Sequence, residues 1–482
     1  MMQKEKILSA YKNLTLPAKA SFWFILMSIM QKGIQFLITP IYTRLLTTEE
    51  YGYYSVYVTW QSILMIFATL NLGAGGFYNG MLKYEDDRPA FISSMQGLAN
   101  VCTLVVFSIV LFLSRPLIEL MGLDIVVLIA MFISFLLYPS FDYWAQYNRY
   151  IFNYRPMIIW TVLFAIVSSG LSIVLIYIIP DKKYAVIFGT VITQIIWGGV
   201  FYIKNLLVGK KLYNKRYWLF ALKFNIVLIP HYLSFIILGQ ADRIMINYYC
   251  GAGVVGIYSL SYTVSLMLSI VVNAVSSTLS PWTYQKIKNG DIKSVEKVSN
   301  KVLLMLAIMV LLCVLIAPEL VMFLGTEEYL KAMWIIPPVI LSCFFSMVYS
   351  LFANIELYYG KSVYVTIASV IAAFANIILN AIFIPLFGFV AAGYTTFICY
   401  IVLAVVHYLF MKKCLISNKV KKIYDLRFII FISLGISVIS IGLTFSYNFI
   451  LIRYLIMGGV IIMVILFKKK FINVVKLIRK KE

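Results

Sequence analysis

The chain has 482 residues, of which 62% are hydrophobic and only 12% charged. Soluble domains are roughly 45–50% apolar and about a quarter charged, so these few charges cannot cover so much apolar surface; a soluble enzyme and a disordered chain are both excluded. A polytopic membrane protein remains, and its 41 Lys and Arg against 19 Asp and Glu, a net charge of +22, raise the question of which side of the bilayer they occupy.

A helix needs about 20 mostly apolar residues to cross the hydrocarbon. Fourteen such stretches follow one another, which predicts an all-α polytopic membrane protein. The N-terminal residues, with Lys4, Lys6, Lys12 and Lys19, read as an interfacial lead-in on the cytoplasmic side. The first apolar run is span-length and lacks a small-residue cleavage site, so no cleavable signal peptide is expected.

The first span, 20–42, places Ser28, Gln31, Lys32, Gln35 and Thr39 on one face. Lys32 lies near mid-span, too deep to snorkel comfortably, and requires water, an anion or a carboxylate there. The second span, 54–78, carries Tyr54, Tyr57 and Gln61, then Asn71 and the cluster Gly73, Gly75 and Gly76. The third is 91–114. The fourth, 125–148, aligns Ser134, Tyr138, Asp142, Gln146 and Arg149, with Pro139 inside it. Asp142 and Arg149 fit a structural pairing as well as a functional role. Spans 158–179 and 185–205 follow.

The seventh span, 222–247, carries Pro230, His231, Ser234 and Asp242. His231 is either a satisfied histidine beside a proline-loosened turn or a proton-linked switch. The eighth, 255–280, has Tyr262, Ser265, Ser269, Asn273 and Ser277. The ninth is 300–323. The tenth, 333–357, has Pro337, Pro338, Ser342, Ser346, Tyr349 and Glu356, and the eleventh, 363–384, has Thr366, Ser369, Asn376 and Asn380. In the twelfth, 390–410, His407 is expected at the interface near the inner end. Spans 427–446 and 450–467 close the series, separated by a few residues around Tyr447 and Asn448. The Ser and Asn stripes fit helix–helix hydrogen bonding as well as a water-filled cavity. Arg44 and Arg243, near the outer ends, can snorkel to the interface. Prolines at 40, 139, 230, 281, 337 and 338 permit bending.

An even number of spans puts both termini on one side, and 33 of the 41 bases fall there. The other eight are Lys32, Arg44, Arg115, Lys182, Lys183, Arg243, Lys331 and Arg453. Positive residues mark the cytoplasmic side, so both termini are expected in the cytoplasm, and the charge calls for no nucleic acid. The connections leave no room for a soluble domain. The six cysteines have no metal-ligand spacing and read as small apolar residues without a disulfide. There is no Walker loop, dinucleotide fingerprint or HExxH, so neither an enzyme nor a cofactor or metal is expected.

An internal repeat joins the two halves. Gly52-Tyr53-Tyr54-Ser55 and Gly256-Ile257-Tyr258-Ser259 stand 204 residues apart, each opening an inward-running helix, and Arg44 and Arg243 each precede their glycine. Six helices separate the copies, so they share orientation and a symmetry axis along the membrane normal is expected. This predicts two six-helix lobes, 1–207 and 208–411, followed by 412–482 with two extra helices and a basic cytoplasmic tail.

The stretch Thr39-Pro40-Ile41-Tyr42-Thr43-Arg44-Leu45-Leu46, followed by Glu50-Tyr51-Gly52-Tyr53-Tyr54-Ser55, resembles the start of polysaccharide-export flippases of the Wzx type. Gln240-Ala241-Asp242-Arg243 with Val255-Gly256-Ile257-Tyr258-Ser259 looks like that family's matching second-lobe stretch. The resemblance places the chain in the multidrug/oligosaccharidyl-lipid/polysaccharide exporter superfamily. It implies two lobes around a central cavity and transfer of an undecaprenyl-pyrophosphate-linked oligosaccharide to the outer leaflet of the bacterial cytoplasmic membrane. The partners implied are that lipid-linked oligosaccharide, membrane lipids, and polysaccharide polymerase and chain-length machinery. For such a substrate the candidate pyrophosphate partners are Lys32, Arg44, Arg149 and Arg243. Gln31, Gln35, Tyr57, Gln61, Asn273 and Asn376 are candidates for sugar hydroxyls. Asp142, His231, Asp242 and Glu356 are the titratable candidates for coupling. A multidrug cation antiporter would place carboxylates where Lys32 stands. A lipid II flippase is closer, and the Glu50–Ser55 and Val255–Ser259 stretches favour the polysaccharide branch. A membrane glycan polymerase predicts a large outer loop, which is missing.

Overall fold

A computed structural model describes residues 15–462 and Ile465. Lys4, Lys6, Lys12, the end of the fourteenth span and the basic tail lie outside the described residues. Among the described residues the fold is all-helical, and twelve helices are long and apolar enough to cross a membrane. The chain divides into two compact units. One comprises the residues up to Leu46 with Tyr53–Leu233; the other comprises Thr47–Gly52 with the residues from Ser234 onward.

The first unit contains α1 (Leu16–Leu45), most of α2 (Thr48–Thr69), the short α3 (Gly76–Lys83), α4 (Arg88–Phe112) and the short α5 (Ser114–Met121). Then come α6 (Ile125–Leu137), α7 (Pro139–Tyr150), α8 (Tyr154–Ile178), α9 (Ala185–Gly209) and the first half of α10 (Lys215–Cys250). Helix α9 is the hub, packing against α4, α6, α7 and α8, while α1 lies along α8. The expected second span ends early, at Thr69. Leu70 and Asn71 take φ of 51° and 47°, a left-handed turn that asparagine accepts more readily than leucine. Gly75 and Gly76 then pass close under Tyr232, Phe224 and Asn225, where a Cβ would have no room. The expected fourth span is divided at Pro139, which opens α7; proline lacks the N–H that a continuing helix would use but suits a first helical turn.

The second unit holds the rest of α10, α11 (Ala252–Lys288), α12 (Ile292–Leu315), the short α13 (Ala317–Leu324) and α14 (Ile336–Tyr358). It continues with α15 (Ser362–Phe387), α16 (Val390–Ser417), α17 (Leu426–Leu443) and α18 (Ile450–Ile462). Helix α14 is the most buried of the twelve and packs on α16, α11 and α12. Asp291 caps α12 by accepting from Ser294 N–H at 3.3 Å, and Asp425 caps α17 by accepting from Phe428 N–H at 3.4 Å, satisfying amides a helix start leaves open. Pro230 and Pro281 stay inside continuous helices of 36 and 37 residues. The first turn of α2 crosses α11 here. A Cβ built on Gly52 would lie 2.9 Å from Gly256 N, and one on Gly256 would lie 3.2 Å from Gly52 N. The two glycines of the sequence repeat therefore meet face to face, which is why neither carries a side chain.

The second and fourteenth expected spans coincide with α2 and α18. Both fall outside the twelve: α2 is diluted by Tyr53, Tyr54, Tyr57, Gln61 and its serines and threonines, and the described α18 is short.

Candidate functional site

The densest polar constellation lies inside the second unit. Helix α10 contributes Asp242, wholly buried. Helix α11 brings Tyr258 and Tyr262, α15 brings Asn376 and Asn380, and each pair is one turn apart on a single face. Helix α16 supplies Thr395 and Thr396. Four donors converge on the Asp242 carboxylate. Tyr258 Oη donates to Oδ2. Tyr262 Oη and Thr396 Oγ1 each donate to Oδ2 at 2.9 Å. Asn380 Nδ2 reaches Oδ1 at 3.2 Å. Asn380 also donates to Asn376 Oδ1 at 3.2 Å and accepts from Thr395 Oγ1, and Asn376 Nδ2 donates to Thr396 Oγ1 at 3.2 Å. Such convergence offsets the cost of burying a charge. Arg243 turns to Ser259 Oγ and Gly239 O, both at 3.2 Å, with its guanidinium 4.5 Å from the Tyr262 ring centre. Among the described residues no group of three His, Cys, Asp or Glu could hold a metal ion. The Asp242 site is a single buried carboxylate held in its charged form by three hydroxyls and one amide N–H.

Glu356 and His407 form a second buried pair in the same unit, with His407 Nδ1 2.9 Å from Glu356 Oε1. Both side chains are fully buried. His407, expected at the interface near the inner end, is packed wholly inside the protein ten residues before α16 ends at Ser417.

In the first unit, Gln61 Nε2 donates to Tyr57 Oη at 3.0 Å and to Gln194 Oε1 at 3.2 Å, a sugar-type hydrogen-bonding group with Tyr57 fully buried. Lys32 sits half-buried midway along α1 and makes no ion pair with the described residues; Gln31 is also half-buried and Gln35 exposed. Asp142 and Arg149 share α7 without an ion pair among the described residues. Tyr78 Oη instead donates to the intervening Gln146, and the Arg149 guanidinium lies 5.3 Å from the Phe24 ring centre. Arg44 is exposed and donates to Pro40 O at 2.9 Å. His231 is half-buried beside the Tyr232 ring. Asn273 is exposed on α11.

Several groups went unread in the sequence, Thr395 and Thr396 of the Asp242 cluster among them. Gln194 completes the Gln61 group. Lys83, Arg216 and Lys223 line a cavity of ≈ 410 Å³ with Tyr84, Phe220 and Phe224; Lys83 Nζ stands 4.8 Å from the Phe220 ring centre and Arg216 Cζ 5.3 Å from that of Tyr84. Those bases counted only toward orientation, although aromatic residues at helical spacing between them were a legible signal. Outside the spans, Asp124 accepts from Tyr53 and Tyr184 hydroxyls, each at 2.8 Å, and pairs with Lys183 at 3.2 Å. Partial burial alone would raise its carboxyl, but those three donors together hold it below the ordinary carboxylate range.

Residues 18–286, more than half of the chain, match the family described as polysaccharide biosynthesis protein. A protein of the Lsg locus of Haemophilus influenzae is 22% identical over 361 residues, 73% of this chain and 88% of that protein. Among solved structures, the lipid II flippase MurJ in an inward-closed conformation superposes with a TM-score of 0.68 at 16% identity, covering 92% of this chain and 99% of that one. An inward-facing multidrug resistance transporter of the MATE family in the MOP superfamily gives 0.61 at 12% identity, covering 82% and 99%. At these identities the two likenesses establish the fold.

Proposed function

Because this chain belongs to the polysaccharide biosynthesis protein family, we propose that it is a flippase for an undecaprenyl-pyrophosphate-linked oligosaccharide used in cell-surface polysaccharide assembly. The family match over 18–286 carries this reading. The transporter-like fold over nearly the whole chain supports a carrier over an enzyme.

The protein resides in the bacterial cytoplasmic membrane with both termini in the cytoplasm. Its α2 and α18 serve as the second and fourteenth of fourteen spans. Two six-helix lobes, 1–207 and 208–411, are related by a pseudo-two-fold axis along the membrane normal, and 412–482 adds the last two helices and the tail. Transport proceeds by alternating access. The head group enters from the cytoplasm while the lipid tail stays in the bilayer. Lys32 attracts the pyrophosphate, and Arg44, Arg149 and Arg243 contribute positive potential. Gln31, Gln35, Tyr57, Gln61, Asn273 and Asn376 bind sugar hydroxyls. Asp142, His231, Asp242 and Glu356 are the coupling groups. Asp242 stands apart among them, because its carboxylate already accepts from four hydrogen-bond donors. Polysaccharide polymerase and chain-length proteins act next on the product.

Expression in cells that lack their own oligosaccharide flippase tests the reading. Restored surface glycan is the expected result. Rescue of cells depleted of their lipid II flippase, or drug resistance without glycan export, overturns it.

A further inference from the structure

We propose that Glu356 and His407 form a proton-binding site inside the second unit, where one proton is taken up and released in each transport cycle. The cycle rests on the transport reading above; the proton site itself does not.

The geometry is that of an unfinished pair. His407 Nδ1 meets Glu356 Oε1 at 2.9 Å, yet the second polar atom of each side chain, Glu356 Oε2 and His407 Nε2, is buried without a hydrogen-bond partner. A permanent structural ion pair is stable in such a place only when its remaining donors and acceptors are satisfied. One proton on the pair makes it neutral overall; loss of that proton leaves one net negative charge buried between α14 and α16. That charge favours any arrangement of the two helices that admits water. Protonation state and helix packing are thereby linked.

The surroundings fit a gated site. On α14 and α16 the pair is flanked by Tyr349, whose ring stacks on His407 at 5.4 Å, and by Cys414, which feels the Glu356 charge together with Lys361 and Lys413. Tyr284 on α11 meets Tyr358 with ring centres 5.5 Å apart and tilted, Tyr364 on α15 lies under Lys413, and Tyr424 donates to Leu351 O. On α11, α12 and the segment before α17, Lys286 pairs with Asp291 at 3.3 Å, and Lys422 with Glu296 at 3.3 Å and Asp425 at 3.9 Å, while Lys288, Lys293, Lys297, Lys301 and Arg427 add positive charge to those helices. A cavity of ≈ 230 Å³, lined by Phe352, Met411, Tyr424, Lys412, Lys421 and Lys422, supplies the approach. Phe352 stands one turn before Glu356 and Met411 one turn after His407, so the cavity ends one helical turn from both. On the other side Tyr349 lies 6.3 Å from Tyr400.

The chain has two histidines, so H231Q leaves His407 as the one imidazole. The full chain carrying H231Q, with ring-¹⁵N histidine, is placed in lipid nanodiscs and followed by solid-state NMR from about pH 5 to about pH 9. The ring is expected to pass between two protonation states in that range, and E356Q should move the midpoint by about one pH unit or more. If E356Q does not fold, E356D takes its place. A ring spectrum constant across the range, or a midpoint unmoved by either substitution, overturns the site. In cells, E356Q should flatten the pH profile of glycan export, and an unchanged profile counts against the site. Failure of the unsubstituted chain to export glycan overturns the transport reading alone, because the NMR experiment uses no substrate.

Discussion

Lys32 is the residue whose charge most needs an explanation, because a cation near the centre of a span costs about 2.5–3.5 kcal/mol on insertion scales and this one has no ion-pair partner among the described residues. In the proposed mechanism, attraction of an anionic substrate supplies the compensation. Lys32→Glu is therefore expected to abolish glycan export at normal membrane abundance, while Lys32→Arg retains it; export by a well-expressed Lys32→Glu variant removes Lys32 from the mechanism. Asp242 poses the opposite problem, a buried acceptor saturated by donors. Asp242→Asn replaces an acceptor oxygen by an N–H that opposes those donors. It should cost about 1–3 kcal/mol of stability and most transport, read by thermal unfolding and by the export assay. Asp124 shows how pH enters at the membrane surface. Its folded carboxyl is held low, so the contribution is full above the unfolded value of about 3.9 and is lost as pH falls through the lower folded value. Thermal unfolding of Asp124→Asn at pH 7 should lie below that of the unsubstituted chain, and the gap should close in strong acid. The effect is small, because Asp124 is partly exposed and screened.

Among the elements, the spans were legible because length and hydropathy are dictated by the hydrocarbon thickness. Their ends were not: α10 begins at Lys215 and α11 runs to Lys288, since polar residues that leave the hydrocarbon can remain helical. Stripes were legible as faces, as with Asn376 and Asn380, yet a stripe names no neighbour. Thr396 stands 154 residues from Asp242 and His407 stands 51 from Glu356, and only packing brings either pair together. The repeat glycines are a further case: the sequence read them as a sign of internal symmetry, and only the packing shows that they meet where α2 crosses α11. That crossing admits no side chain. Gly256→Ala puts a methyl group against the α2 backbone and should destabilise the protein by about 1–3 kcal/mol. Gly435→Ala, on α17 with open space around it, should be neutral or stabilise by up to about 1 kcal/mol through helix propensity. Thermal unfolding of the two variants side by side decides it; equal effects would mean that the α2–α11 approach is looser than it stands.

For the whole molecule, the excess of base is a statement about orientation. The other eight bases are scattered among a mid-span lysine, helix ends and short turns, whereas the 33 fall in seven connections and tails and at Lys361. Positive residues near span ends resist translocation, so a distribution this uneven supports the proposed orientation. Asp181 and Asn289 test it, because both are exposed connections and three expected spans, the sixth to the eighth, lie between them. An odd number of crossings puts them on opposite faces. In a chain freed of its six cysteines, Asp181→Cys should react with a membrane-impermeant thiol reagent added to intact spheroplasts, and Asn289→Cys should react only after lysis. The converse result inverts the orientation. Reaction of both from one side means that one of the three helices does not cross, most directly through the proline-containing α10 or α11, and the alternation of charge after that point would then have to be reassigned.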